Sequence, residues 1–277
     1  MPINQVSTDY IVEKKRQQSS NILNFKKSND IANYDSKFFK GEGQSSIKSA
    51  KHIVPLVQSI VNPRSVLDVG CGVGAFLKEF EKIGVEDVLG IDNTIASQEF
   101  LQIKKDKIKQ CDICKPLELS KKFDLVISLE VGEHLDPQCS DTYVTNLTAA
   151  GNIILFSAAI PGQGGTHHVN EQWPEYWARI FERHGFKAVD CIRPIIWNSK
   201  DIDPIYAQNT LLYVKNENLD KLNLKSIQDP NIATFPLSLV HPRLYLYSKE
   251  NSIKIYNTVL RNFIRSFQNF YKHIQKQ

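Results

Sequence analysis

Apolar residues fall into two alternating rhythms along this chain. Consecutive apolar runs occur in SVLDV at 65–69, DVLGID at 87–92, FDLVISLE at 123–130 and NIILFSAA at 152–159. Their length and branched side chains suit strands buried on both faces. Between them lie stretches with helical spacing. AFLKEFEKIG at 75–84 places Phe76, Leu77, Phe80 and Ile83 on one face ahead of a stopping glycine, and EQWPEYWARIFERHGF at 171–186 does the same with Trp173 to Phe181 and Gly185. A short strand is expected near Gln110 and Cys111, and FKAVDCI and then QNTLLYV, at 208–214, read as closing strands. Strands of this type separated by helices predict an α/β fold, a doubly wound parallel sheet covered on each side.

The flanks are patterned differently. Residues 1–42 form a polar arm that ends in YDSKFF, and KGEGQSS at 40–46 reads as a loop. The apolar-periodic stretch with Ile47, Ile53, Val57 and Ile60 follows, capped by Ser45 or Ser46 and ended by Asn62-Pro63. The main domain is therefore expected over 43–215 and a C-terminal extension over 216–277. In that extension Pro230, Pro236 and Pro242 break any long element. Ile253, Tyr256, Leu260, Phe263, Phe267, Phe270 and Ile274 then recur every three or four residues, the seam of an amphipathic helix. Such a seam suits a helix docked on its own domain, with homodimer formation through it as the alternative.

Composition narrows the class. In 277 residues, 42% are hydrophobic, enough for one sizeable core. With 34 basic against 30 acidic residues the net charge is +4, too even to make nucleic acid an obligate partner. The polar N-terminus has no continuous apolar segment of signal or membrane-spanning type, so a cytoplasmic protein is expected. Its five scattered cysteines are then expected as free thiols, and the lone CxxC of Cys111 and Cys114 lacks a second pair for zinc.

The chemistry begins at VLDVGCGVG, 66–74, where a strand turns into a helix. Gly70, Gly72 and Gly74 remove the side chains that would keep a ligand off the backbone. The spacing is GxGxG rather than the GxGxxG of a dinucleotide site. Later acids carry the inference further. Asp92 ends the second strand, where a carboxylate can accept both ribose hydroxyls. Asp112 follows the third, where it can accept from an exocyclic adenine amine with Ile113 beside the ring, and Glu130 ends the fourth. Carboxyl ends of parallel strands converge, so these residues share one crevice.

These segments resemble the class I S-adenosylmethionine-dependent methyltransferases. LDVGCGVG matches their first motif, Asp92 the ribose-binding acid, CDI at 111–113 the adenine segment and FDLVISLEVGEHL at 123–135 the fourth-strand motif, over residues 45–214. The resemblance implies a Rossmann-like sheet of seven strands, the last antiparallel, with helical N-terminal and C-terminal extensions. It implies S-adenosylmethionine as cofactor, bound through Asp68, Gly70, Cys71, Gly72 and Gly74, Asp92 with Asn93, Asp112 with Ile113, and Glu130. An Asn/Asp-Pro-Pro-aromatic motif is missing after the fourth strand, which disfavours DNA amino-methylation. EVGEHL, GGTHHVNEQWPEYW and LVHPRLY resemble bacterial methyltransferases of polysaccharides and small metabolites.

GQGGTHHVNEQW, 162–173, holds the remaining chemistry. In the resembled class the loop after the fifth strand flanks the acceptor pocket. His167 or His168 is therefore a candidate general base for a hydroxyl acceptor, a small molecule or saccharide, with His168 preferred because Glu171 could pair with it. The same imidazoles could instead fix the glycine loop or pack on Trp173. A third reading, not favoured, is a divalent metal held by Glu130, Glu133, His134 and Asp136 with one of the histidines. N-methylation or an RNA-directed reaction at the same cofactor site stands second to O-methylation, and a non-catalytic scaffold third.

Overall fold

The computed structural model describes residues 36–223 and 237–251, together with Ile253, Lys254, Thr258 and Arg261. The arm through residue 35 and all of the tail seam except Ile253 lie outside the described residues; Ile253 itself is half exposed. The chain runs α1 (Ser36–Val61), β1 (Ser65–Val69), α2 (Ala75–Lys82), β2 (Asp87–Asp92), β3 (Ile108–Gln110), β4 (Leu125–Leu129), α3 (Ser140–Ala150) and β5 (Ile153–Ser157). It continues through α4 (Pro174–Arg183), β6 (Phe186–Val189), α5 (Arg193–Ile196), α6 (Pro204–Asn209) and β7 (Leu211–Lys215). Residues 242–251 are helical, and among the described residues no helix is long and apolar enough to cross a membrane.

The seven strands pair in the order β3-β2-β1-β4-β5-β7-β6. All neighbours are parallel except β7, which lies between β5 and β6 and runs antiparallel to both. Every residue of β1, β4 and β5 is buried, the signature of strands covered on two faces. On one face Ile53, Val57 and Ile60 of α1 pack with Leu77 and Phe80 of α2 over Leu125 and Ile127. On the other, Tyr143 and Leu147 of α3 join Trp177 and Phe181 of α4 over Val126, Ile154 and Phe156. Each such side chain contributes about 1.5–3 kcal/mol on full burial. The chain winds outward from β1 to β3 and then reverses to β4. The crevice where this order reverses opens at the carboxyl ends of β1 and β4.

Five local expectations are corrected. KGEGQSS is not a loop, because α1 runs through it unbroken. Ser45 and Ser46 cap nothing there: Ser45 Oγ donates to Asp203 Oδ2 at 2.5 Å and Ser46 Oγ to the Gly43 carbonyl at 3.0 Å. Two glycines cost a helix about 1 kcal/mol each, and the burial of Ala50, Ile53, Val54 and Val57 outweighs that. Ile83 is 44% exposed, because α2 stops at Lys82 and the chain turns away through Gly84 at φ +97°. The last strand begins at Leu211. Gln208 and Asn209 belong instead to α6, started by the Asp203 carboxylate accepting from the Ile205 N–H and by Pro204 in the first turn. Finally, Cys114 is disulfide-bonded to Cys139, whose Cα lies 5.1 Å away across the fold, while Cys71, Cys111 and Cys191 are free.

Candidate functional site

β1 ends in a turn built by three left-handed glycines: φ is +82° at Gly70, +52° at Gly72 and +77° at Gly74. They differ in what surrounds them. A Cβ on Gly70 would lie 2.4 Å from Val131 Cγ2, and one on Gly74 2.7 Å from Ile103 Cγ1, so these two are kept small by the protein. A Cβ on Gly72 would meet nothing within 4 Å. That glycine faces open space. Asp92, at the end of β2, closes the turn: its Oδ2 accepts the Gly72 N–H at 2.8 Å and its Oδ1 the Thr94 N–H at 2.9 Å. Burial raises the Asp92 carboxyl, and these N–H groups offset part of the rise.

The other residues expected at this end are placed as follows. Asp68 is buried, and desolvation followed by the nearby Asp92 pushes its carboxyl up to about 8. Cys71 turns its sulfur inward, against the space a Gly90 side chain would need, so among these residues it is a core group. Asn93 is exposed and its carbonyl accepts Gln110 Nε2 at 2.9 Å. Asp112 follows β3 with its side chain 42% exposed, held by the Cys114 N–H at 3.0 Å and by Lys115. Ile113 points the other way, into the core beneath α3.

Across the crevice, β4 and β5 present a second constellation. Glu130 sits at φ +55°, and its carboxylate accepts Asn209 Nδ2 at 3.1 Å and Gln163 Nε2 at 3.0 Å. Glu133, in the turn Gly132–His134, is fully buried. Neither of its carboxylate oxygens meets hydrogen-bonding geometry with a partner. Burial, and then the Glu130 charge, hold this carboxyl well above the ordinary range. His134 is driven the opposite way: burial first and His168 second lower it to about 4, which leaves a neutral imidazole. Its ring meets that of His168 edge to face at 4.9 Å.

The loop after β5 is tied to this group from both ends. The Val169 and Asn170 N–H groups donate to the Glu133 carbonyl at 2.9 and 3.0 Å. Glu171 accepts three bonds, from the Gly162 N–H at 2.7 Å, the Gly164 N–H at 2.8 Å and His168 Nδ1 at 2.9 Å. Burial alone would raise Glu171; the bonds from His168 and the two glycines overcome it and hold the carboxyl low. His168 therefore carries its proton on Nδ1 and presents Nε2. That ring lies over Gly165, where a Cβ would come 2.2 Å from Nε2. His167 is exposed in the left-handed region at φ +59°, and its backbone hydrogen-bonds His134. Asn170 is buried and bonded to the Gly132 carbonyl and to Ser140. Trp173 is 41% exposed, and Pro174 opens α4.

Glu133, His134 and His168 place one ligand-type atom each within 4.8 Å of one another. Asp136 is not part of this group, because its carboxylate accepts the Gln138 N–H and caps the next turn. Sequence reasoning missed Gln163, Gln208 and Asn209. Nothing local signals that Gln163 and Asn209 reach the Glu130 carboxylate, or that Gln208 bonds to Asn209 beside it.

The chain is similar to known proteins over part of its length. Residues 46–152 match the family model described as a methyltransferase domain. A ubiquinone biosynthesis O-methyltransferase of Rhodopseudomonas palustris (strain HaA2) is 31% identical over 75 residues, 25% of this chain and 29% of that protein. The mitochondrial ubiquinone biosynthesis O-methyltransferase of Dictyostelium discoideum is 29% identical over 110 residues, 34% of each chain. The chain thus spans about a third of the length of these curated relatives. Among solved structures, DesVI of Streptomyces venezuelae is 16% identical with a TM-score of 0.49, over 68% of this chain and 99% of that one. Magnesium protoporphyrin IX methyltransferase of Synechocystis PCC 6803 is 17% identical with a TM-score of 0.47, over 75% and 97%. Residues 46–152, which carry the glycine turn closed by the second-strand acid Asp92, are thus similar to a methyltransferase domain.

Proposed function

We propose that the protein transfers a methyl group from S-adenosylmethionine to an oxygen of a small polar or saccharide acceptor. The observation that carries this reading is the pairing of two ends of one crevice: an open glycine turn closed by Asp92, and an imidazole fixed by Glu171 at the carboxyl ends of β4 and β5. S-adenosylmethionine supplies a methyl on a sulfonium centre, already activated for in-line displacement. Gly72 leaves room for the cofactor, Asp92 receives its ribose hydroxyls on the lone pairs that Gly72 and Thr94 leave over, and the half-exposed Asp112 receives the adenine amine. A hydroxyl acceptor must lose its proton. Glu171 fixes the tautomer of His168, and Nε2 takes that proton, a contribution of about 10²- to 10⁴-fold. The curated relatives whose names specify O-methylation support oxygen as the acceptor atom.

Calorimetry with S-adenosylhomocysteine tests the cofactor half. Wild type is expected to bind and Asp92→Ala to lose binding; equal binding by the two sinks the assignment. Transfer of labelled methyl from S-adenosylmethionine to a panel of saccharides and small alcohols tests the rest. His168→Ala is expected to lose turnover with cofactor binding intact, and His167→Ala to keep it.

One observation favours a second reading of the same cluster. A wholly buried carboxyl that makes no well-formed hydrogen bond, with the Ala159 backbone and the Glu130 side chain beside it, is set among two imidazoles, and its burial is costly unless something else satisfies it. A carboxylate with two imidazoles is a donor set that suits Mn²⁺, Fe²⁺, Co²⁺ or Zn²⁺. Glu133, His134 and His168 would hold such a cation, with Glu171 orienting His168 from behind. A cation bound there would lower the pKa of an acceptor hydroxyl beside it. Under this reading, turnover is abolished by a chelator and restored by Mn²⁺; under the first it is unaffected.

A further inference from the structure

The disulfide lies on the segment after β3 that carries Asp112. Cys114 is bonded to Cys139 across 25 positions of sequence, their Cα atoms 5.1 Å apart. Cys139 closes the turn Pro137–Cys139 directly before α3, and Asn146 follows on that helix about two turns later. Asn146 already fastens the same segment. Its Nδ2 donates to the Ile113 carbonyl at 3.0 Å and to the Lys115 carbonyl at 2.8 Å, and its Oδ1 accepts the Leu117 N–H at 3.0 Å. At the start of the segment the Cys111 N–H donates to the Asp92 carbonyl at 3.0 Å. The backbone over 111–117 is thus held at both ends without the sulfur bridge.

What the bridge adds is control of one side chain. The Cys114 N–H donates to Asp112 Oδ1 at 3.0 Å, and Lys115 pairs with Oδ2 at 3.2 Å. Lys115 is largely exposed, so that ion pair orients little. The direction of the Asp112 carboxylate therefore follows the position of Cys114, which the covalent bond to Cys139 sets. Ile113, between them, is buried in the core, so the inner side of the segment is fixed by packing instead. Cys114 and Cys139 are only partly buried, and Asp112, Lys115, Pro137 and Gln138 around them are exposed. Small oxidants and thiols can approach such a bond from solvent.

We propose that Cys114 and Cys139 form a reversible thiol–disulfide site that sets cofactor affinity through Asp112. The inference rests on the reading of Asp112 as acceptor of the adenine amine. With hydrogen peroxide as oxidant, one cysteine thiol attacks a peroxide oxygen, giving a sulfenic acid and one water. The second thiol then attacks that sulfur, its proton leaves with the hydroxyl as a second water, and the S–S bond forms. A dithiol reverses this: it passes two electrons and two protons to the cysteines and leaves as a cyclic disulfide. In the dithiol form of the protein the chain at Asp112 has to be ordered as the cofactor binds. Ordering about one backbone residue weakens binding by about 5- to 30-fold.

Calorimetry with S-adenosylhomocysteine on the full chain, after hydrogen peroxide and after dithiothreitol, tests the idea, with the bridge followed by mass spectrometry of alkylated peptides. Oxidised wild type is expected to bind about 5- to 30-fold more tightly than reduced, and to recover that affinity on re-oxidation. The double variant Cys114→Ser/Cys139→Ser is expected to match reduced wild type under both conditions, which sets aside any response of Cys71, Cys111 and Cys191. Asp112→Ala is expected to bind more weakly in both states and to erase the difference between them, which a general loosening of the fold would not do. The wild-type comparison carries the test if a variant does not fold. Equal affinity of oxidised and reduced wild type, a difference that survives in either variant, or peroxide treatment that leaves Cys114 and Cys139 unbridged overturns the inference alone. A wild type that binds no nucleoside in either state overturns the cofactor reading and this inference with it.

Discussion

Gly70 and Gly72 share a turn and a left-handed backbone, yet alanine should harm them in opposite ways. Placing any side chain in that region costs about 1–2 kcal/mol, and both variants incur this. At Gly70 the new Cβ would also stand 2.4 Å from Val131 Cγ2 and 2.9 Å from Cγ1, so a branched core side chain must move. Overpacking of that kind adds about 1–3 kcal/mol. Gly70→Ala is therefore expected to lose about 2–5 kcal/mol. At about 2–4 °C per kcal/mol, that is a fall in melting temperature of roughly 4–20 °C. At Gly72 no protein atom lies within 4 Å, so the loss stays near 1–2 kcal/mol and a few degrees. The Gly72→Ala methyl instead projects into the space assigned to cofactor, with the N–H to Asp92 intact. Its S-adenosylhomocysteine affinity should fall at least about tenfold, a contact loss of about 1.4 kcal/mol. Scanning calorimetry and isothermal titration on the two variants read both quantities. If Gly72→Ala melts as low as Gly70→Ala, or binds the nucleoside as wild type does, the division of labour between these glycines is wrong.

Further predictions concern other parts of the fold. Asp68 has its folded pKa raised to about 8, so the native state keeps a proton that the unfolded chain releases near 3.8. That stability is fully present below about pH 4 and is lost as pH rises toward 8, with a slope of up to about 1.4 kcal/mol per pH unit. Asp68→Asn should flatten the slope in urea titrations at pH 5, 6 and 7; an unchanged slope assigns it to other groups. Asp190 and Arg193 form a buried ion pair, with Arg193 also donating to the Gln208 and Leu237 carbonyls. Asp190→Ala should cost about 3–5 kcal/mol by leaving the guanidinium uncompensated, whereas replacing both partners with apolar residues should cost much less. Glu171→Ala removes three acceptor bonds and should lower stability by only about 1–3 kcal/mol, yet reduce methyl transfer about as much as His168→Ala does. If it retains full turnover, the imidazole needs no partner.

The sheet was readable because its strands are apolar on both faces and short, a pattern that little else in a chain of this composition produces. The glycine turn and Asp92 were readable for a related reason: backbone geometry and strand ends constrain which residues can stand there. The His168–Glu171 pair followed from a spacing of three residues. What escaped was set by contacts distant in sequence. Ser45 looks like a helix cap until Asp203, 158 residues later, accepts its hydroxyl. Cys114 pairs with Cys139 rather than remaining a thiol, and Gln163 and Asn209 carry no local mark of their convergence on Glu130, nor Gln208 of its bond to Asn209. Ile83 fits the helical period but lies one residue beyond the helix, a boundary that periodicity resolves poorly.

The ring of His168 rests where a side chain on Gly165 would have to be. The two positions are thus a single steric unit, although one is a featureless glycine and the other a chemical group. Variation should pass through them jointly. A library randomised at both codons should return larger residues at 165 only alongside small ones at 168, and those survivors should keep the nucleoside site while having discarded the acceptor chemistry. The glycine thereby serves as an inexpensive marker, in any protein built on this loop, of whether the imidazole is still in use.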